Sequence, residues 1–489
     1  MANFNKVKQT GPNAMTHEGG NAYEKSPVDE WLNFLFSSFM EDKFYEASNA
    51  QQKRFLDLTQ KMCDKYGPIF VAKAAVFARN ELGMRSVSQL VAAWLNTQTF
   101  ETKRAFYKAF MHRPDDVAEI FAAVDFLGSK RSHALIRGAA DYLSTIPGTT
   151  LAKYKLNSRQ YNMYDLINIT HANSDAINQY KNGTLASADT WEVKIAGAAN
   201  DEDRQKEWKR LVEQHKLGYM ALIRNLNNIL ACENIDRDWV KTYLVPQIVA
   251  ETAIKRSLMF PYRFYTACRN LKVQNEDVIY ALGKAFAIAA KTNAPQLEGI
   301  SGILLDVSGS MEDTISARSN ITIKEVGACF AVGLFISNPD CKIVKFGTNA
   351  KTVKLNVLDN PFSMIQKLCK NDNCGYGTEI NPALQVMSRH TDTNELSRMF
   401  IISDMQVMDN RNSYTWFGDV KQSPVKTYHE KFGMLPAYSF DLGFYHTQIL
   451  SPADHLHYVT ALNDQVFKFI GLLESGINLV DYINSFTYC

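Results

Sequence analysis

None of the eight cysteines (Cys63, Cys232, Cys268, Cys329, Cys341, Cys369, Cys374 and Cys489) stands in a CxxC pair. This spacing leaves no paired-cysteine metal or redox motif, and most of the eight fall inside apolar runs. Buried free thiols in a reducing cytoplasm are expected. An excess of either charge is missing as well. Lys and Arg number 53 against 51 Asp and Glu, a net charge of +2, so any site for a polyanion must be a local patch. No uncharged apolar stretch is long enough to span a bilayer. The polar amino terminus has no apolar h-region, so neither a membrane association nor a secretory signal is expected. P-loop, HExxH and GxSxG motifs are absent, which leaves no motif for a hydrolase and no candidate catalytic residue.

At 489 residues, with 46% hydrophobic and 21% charged residues, the chain is an ordinary globular protein too long for one core. Residues 1–27 are polar and glycine-bearing and read as an amino-terminal tail. Residues 28–295 have helical periodicity almost throughout, as in Trp31, Phe34, Leu35 and Phe39. Breaks recur at Tyr66-Gly67-Pro68, Arg113-Pro114, Ile146-Pro147-Gly148 and Pro261. A series of short amphipathic helices predicts stacked helix pairs, an α-solenoid. The polar segment Lys291–Glu298 reads as a linker. Over residues 296–489 buried-strand runs alternate with helices: strands at 300–306, 342–346, 399–403 and 437–442, helices at 324–336, 361–370, 380–389 and from 467. This alternation predicts a doubly wound, mostly parallel α/β sheet.

The apolar run Ile303-Leu304-Leu305 ends at Asp306, and Ser308 and Ser310 follow at spacing two. A carboxylate and two hydroxyls at the carboxyl end of a buried strand lie where open α/β sheets bind ligands. All are hard oxygen donors of the kind Mg²⁺ prefers. Two more loops carry such donors: Gly375-Tyr376-Gly377-Thr378 before a helix, and Ile402-Ser403-Asp404 after a strand. The order resembles the von Willebrand factor A fold with its metal-ion-dependent adhesion site. That resemblance implies one divalent cation, Mg²⁺, among Asp306, Ser308, Ser310, Thr378 and Asp404, with an acidic partner group completing its shell. Asp313, Asp340, Asp372 and Asp409 read as turn or surface residues.

Three helical segments have sided charge. In 129–143, with Ser129 as the expected cap, Lys130, His133 and Arg137 oppose Leu135, Ile136, Ala139 and Leu143. In 220–230, Arg224, Asn225 and Asn228 oppose Leu222, Leu226 and Ile229. In 261–272, Tyr265, Arg269 and Lys272 share a stripe opposite Phe264, Ala267, Cys268 and Leu271. Such faces suit phosphates and unpaired bases; taken singly, they are also what any solvated surface helix presents.

Several segments together resemble the TROVE-domain, or Ro ribonucleoprotein autoantigen, family in its bacterial or phage branch. They are Glu18-Gly19-Gly20-Asn21-Ala22-Tyr23, Asp42-Lys43-Phe44-Tyr45-Glu46, Lys153-Tyr154-Lys155 with Asp165 to His171, Ala221 to Leu226, and Met259 to Arg263. The resemblance implies a ring of HEAT-like helical repeats closed by the A-type domain. It implies binding of single-stranded 3′ ends of misfolded noncoding RNA in a central hole, and of Y-like RNA on the outer surface. It places Lys153, Lys155, Arg159 and His171 in the RNA-facing region, with Lys130, Arg131, Arg137, Arg224, Asn225 and Arg263 as further candidates. The chain departs from the family at Leu156-Asn157-Ser158 and at Ala172-Asn173-Ser174, which bears on Y RNA more than on single strands. A monomeric, cytoplasmic ribonucleoprotein component is expected, with an exoribonuclease as a candidate protein partner. The alternative is a cation-dependent protein-interaction scaffold with no RNA role.

Overall fold

The structure is a computed structural model. It describes residues 13–16, 21–37, 48–154, 160–185, 191–233, 235–293, 297–315, 319–406, 424–443, 447–450, 455–459, 470, 474 and 479–488. The chain forms two compact units. One comprises residues 34–40, 52–247 and 469–489, the other residues 1–33, 41–51 and 248–468. This packing boundary differs from the change of sequence pattern near residue 295, because helices Pro261–Arg269 and Glu276–Asn293 pack on helices Ile323–Ser337 and Pro361–Cys369 of the α/β fold.

The first unit is helical. Helices Pro68–Asn80, Lys103–Phe110, His133–Leu143 and Met163–Thr170 pack in succession as one row; Ser86–Trp94 and Pro114–Phe126 form a second. Each helix thus rests on the helix two places further along, the stacking of an α-solenoid. The breaks lie where proline and glycine put them. Gly67 has φ 85° between two helices, and Pro68 and Pro114 occupy first turns, where a missing N–H costs nothing. Within the first row, a Cβ built on Gly138 would lie 2.6 Å from Tyr107 Cβ and 2.8 Å from the Arg104 carbonyl oxygen. Glycine is what lets these two helices approach. The N-cap of His133–Leu143 is Ser132, whose Oγ accepts from Leu135 N. Ser129, the expected cap, instead hydrogen-bonds Asn96 and the Val124 carbonyl. Helix Leu479–Ser485 returns to Pro68–Asn80, where Tyr482 and Phe486 meet Phe77 edge-on.

The second unit contains all nine strands found among the described residues: β1 (Ala14–Met15), β2 (Asn21–Glu24), β3 (Ile300–Asp306), β4 (Lys342–Phe346), β5 (Ala350–Val353), β6 (Leu396–Ser403), β7 (Ala437–Asp441), β8 (Thr447–Gln448) and β9 (Leu456–Val459). Six make one sheet in the order β5-β4-β3-β6-β7-β9, in which only β5 runs antiparallel. This is a doubly wound α/β fold, consistent with the expected A-type arrangement. The central β3 is buried almost throughout, which explains its continuous apolar sequence. From β3 the chain adds β4 and β5 on one side, then crosses to β6 on the other. The order therefore reverses between β3 and β6, and the carboxyl ends of these two strands flank the switch point. The amino-terminal segment is more than a tail: β2 pairs with β1 and β8, and Tyr23 is buried in the core with Leu304, Val344, Tyr428 and Leu450. The alternation of strand and helix patterns does not mark the short elements at 350–353, 424–432 and 456–459.

All seven described cysteines are free thiols. No helix among the described residues is long and apolar enough to cross a membrane.

Candidate metal centre and nucleic-acid faces

The carboxyl end of β3 places Asp306 at the switch point, fully buried. Its Oδ1 accepts from Ser308 N (2.8 Å), turning the backbone so that Ser308 and Ser310 face each other with hydroxyls 3.5 Å apart. Its Oδ2 accepts from Ser403 Oγ at 2.5 Å. Ser403 is the last residue of β6, so Asp404 begins the adjoining loop, 2% exposed and hydrogen-bonded to Ser310. The third loop abuts the first through Gly309 N to the Tyr376 carbonyl (2.8 Å), and Thr378, two residues on, is buried.

Lys345 holds that third loop. Its ammonium is buried and donates to Asp372 Oδ2 (2.5 Å) and to the carbonyls of Lys367 and Lys370. Asp372, read from the sequence as a turn residue, thus anchors the loop that carries Thr378. Its left-handed backbone (φ 47°) and that of Asn373 (φ 67°) form the bend.

Two carboxylates placed this way repel. Burial raises the pKa of Asp306, and burial together with the neighbouring Asp306 charge raises that of Asp404. Such a pair calls for positive charge, and the hydroxyls around it are hard neutral donors. The donor set therefore fits a hard divalent cation better than a soft one. Among the described residues no cluster of three His, Cys, Asp or Glu side chains could hold a metal. A cation here would need the serine and threonine hydroxyls to complete its shell.

The cationic candidates are distributed differently. Lys130, Arg137, Arg224 and Arg263 are exposed. Arg131 is engaged internally: its Nη2 lies 2.6 and 2.8 Å from the Asp125 carboxylate, and its guanidinium stacks over Phe121 and Tyr161, each centroid 4.9 Å away. Lys153 pairs with Glu192 at 2.6 Å. The Asn225 amide donates to the Ala221 carbonyl and accepts from Asn228, at a break between helices Tyr219–Arg224 and Leu226–Leu230. His171 is exposed in a left-handed conformation (φ 55°) that caps helix 163–170. Such a backbone is uncommon for a residue with a side chain. Lys155 and Arg159 lie outside the described residues, as do the segments 17–20 and 42–46.

Of the stripe expected at Tyr265, Arg269 and Lys272, only Tyr265 leaves the solvent. Tyr265 is buried and donates to Glu325 Oε1 (2.6 Å), which also pairs with Arg269 at 3.0 Å. Tyr265 thus docks on helix Ile323–Ser337 of the α/β fold, while Arg269 and Lys272 stay exposed. Phe362, nearly a hundred positions further along the chain, supplies an edge-on contact to Tyr265. Sequence periodicity finds a face but does not say what covers it.

Residues 170–282 match the family model described as TROVE domain. The matched TROVE segment contains His171, Arg224, Asn225 and Arg263; Lys130, Arg131, Arg137 and Lys153 precede it. No curated protein matches the chain. Among solved structures it is similar to the crystal structure of the Deinococcus radiodurans RO (RSR) protein, at 14% identity with a TM-score of 0.62. That likeness covers 92% of this chain and 100% of the other. At this identity the likeness is one of fold.

The sequence did not single out Ser403 for its bond to Asp306, nor Lys345 for its hold on the Thr378 loop. Ser403 had a signal, a hydroxyl at the end of a strand beside a candidate ligand. Lys345 had none, because a lysine in an apolar strand does not name its partners.

Proposed function

We propose that the chain is the protein of a Ro-type ribonucleoprotein and binds single-stranded regions of noncoding RNA. The observation that carries this reading is the TROVE match at residues 170–282. Exposed cationic side chains at Arg224 and Arg263 within it, and at Lys130 and Arg137 before it, supply the charge. Phosphates would meet these side chains, and an unpaired strand gives recognition without a base code. The finer reading is that the 3′ ends of misfolded RNA enter a central opening and Y-like RNA lies on the outer surface. It is supported by the family resemblance of the sequence. No catalytic step is assigned.

The second part of the proposal is a divalent cation, Mg²⁺, held by Asp306, Ser308, Ser310, Thr378 and Asp404. The mutually repelling buried carboxylates favour it. A bound cation would supply an electrophilic point for an acidic side chain of a protein partner, such as an exoribonuclease. The protein's own part is to orient the donors: Ser403 and Ser308 N fix the Asp306 carboxylate, and Lys345 fixes the Thr378 loop.

Both parts are tested together on Asp306→Ala. Calorimetric titration with Mg²⁺ should lose its saturable signal, while affinity for a single-stranded RNA stays within about twofold of wild type, since no phosphate-facing cation is removed. Loss of RNA affinity in the folded variant would refute this division. Wild-type protein that takes up cation but no RNA would favour the protein-interaction scaffold.

A further inference from the structure

We infer that Lys25 is a built-in counterion of the cation pocket and, through Asp441, sets how tightly that pocket holds a divalent ion. The inference rests on the cation reading above. Lys25 follows β2 directly and is 416 positions from Asp441 in sequence, yet its Nζ lies 2.8 Å from Asp441 Oδ2. The two side chains are only 2% and 0% exposed. The antiparallel pairing of β2 with β8, Tyr23 opposite Gln448 and Glu24 opposite Thr447, brings the lysine there.

Asp441 ends β7 in register with Ser403 of β6, the residue that holds Asp306. Leu442 N also donates to the Ser403 carbonyl at 2.9 Å, and Asp441 Oδ1 accepts from Gly443 N. The carboxyl edge of the sheet therefore carries three aspartates in spatial succession: Asp306 at the end of β3, Asp404 after β6 and Asp441 at the end of β7. Three carboxylates against one ammonium leave a charge that one divalent cation matches. Without the ammonium the pocket would be over-negative. A buried ion pair gives little net stability for its desolvation cost, so a role in tuning the neighbouring pocket accounts for its position better than stability does. The amino-terminal strand thereby becomes part of the cation site: any event that withdraws β2 changes the charge the ion meets.

The test is Mn²⁺ affinity by titration calorimetry on four full-length proteins: wild type, Lys25→Met, Asp441→Asn, and the double variant. Removing the ammonium should tighten Mn²⁺ binding on the order of tenfold, the scale of one unit charge acting on a divalent ion in a partly buried site. Asp441→Asn should weaken it by a similar factor, because one negative charge beside the pocket is then removed. The double variant, neutral at both positions, should return near wild type. Where Lys25→Met does not fold, the comparison of Asp441→Asn with the double variant carries the same sign. Equal affinity across the folded variants overturns the inference and leaves the cation reading standing. No saturable Mn²⁺ binding in wild type overturns both.

Discussion

Asp116→Ala is expected to destabilise the helical unit by about 3–5 kcal/mol, the cost of removing one partner from a buried ion pair. Asp116 is fully buried in the first turn of helix 114–126. Its Oδ2 accepts from the backbone N–H groups of His112 and Arg113, each at 3.0 Å, and from Arg79 Nη2 at 2.7 Å. Its Oδ1 accepts from Arg79 Nε at 3.2 Å and Gln89 Nε2 at 2.8 Å. One carboxylate thus joins helices 68–80, 86–94 and 114–126 and closes the turn entering the last. Alanine would strand a buried guanidinium and remove the bond that fixes the helix start, where a carboxylate also complements the macrodipole. Asn at the same position keeps the shape and part of the bonding, so it should cost less. Urea unfolding followed by circular dichroism checks both. A shift worth under about 1 kcal/mol for alanine, the size of an ordinary surface change, would show that the network is dispensable.

The second large effect concerns RNA. Replacing Lys130, Arg137 and Arg224 by glutamine should lower the slope of log affinity against log salt by about 0.7 for each phosphate no longer neutralised, roughly 2 in all. At about 0.1 M salt that corresponds to an affinity loss on the order of a hundredfold. Glutamine keeps hydrogen bonding, so the loss reports charge. The three side chains are exposed, and their replacement should leave the unfolding midpoint unchanged. Arg131→Gln is the contrasting variant. Its guanidinium bridges Asp125 and two aromatic rings, so the expected loss is in stability, with little change in the salt slope. Equal slopes for the triple variant and wild type would place the RNA elsewhere on the chain.

Sequence periodicity and punctuation carried most of the local structure. β3 was legible because a strand buried on both faces has to be apolar along its length. The helix starts at Pro68, Pro114 and Pro261 were legible because proline fits a first turn. Asp306, Ser308 and Ser310 were legible as a group because they lie within a few residues of one another. What failed was long-range. Tyr265 has the spacing of a solvent-facing residue, and its burial is explained by Glu325 and Phe362, sixty and more positions on. The amino-terminal strand looked like a polar tail because its partners, Thr447, Gln448 and Asp441, lie at the far end of the chain. Asp441 obeys the rule that pointed to Asp306, a carboxylate at the carboxyl end of a buried strand. Without the strand order there was no reason to set the two side by side.

The proposed recognition of unpaired RNA has a direct test. The most direct measurement compares one RNA hairpin bearing a single-stranded 3′ tail with the same hairpin blunt-ended, by equilibrium binding at fixed salt. Preference for the tailed hairpin by at least about tenfold is predicted, the scale of one base–aromatic stack or a few phosphate contacts. Equal affinity for the two, or none for either at low salt, would contradict the account.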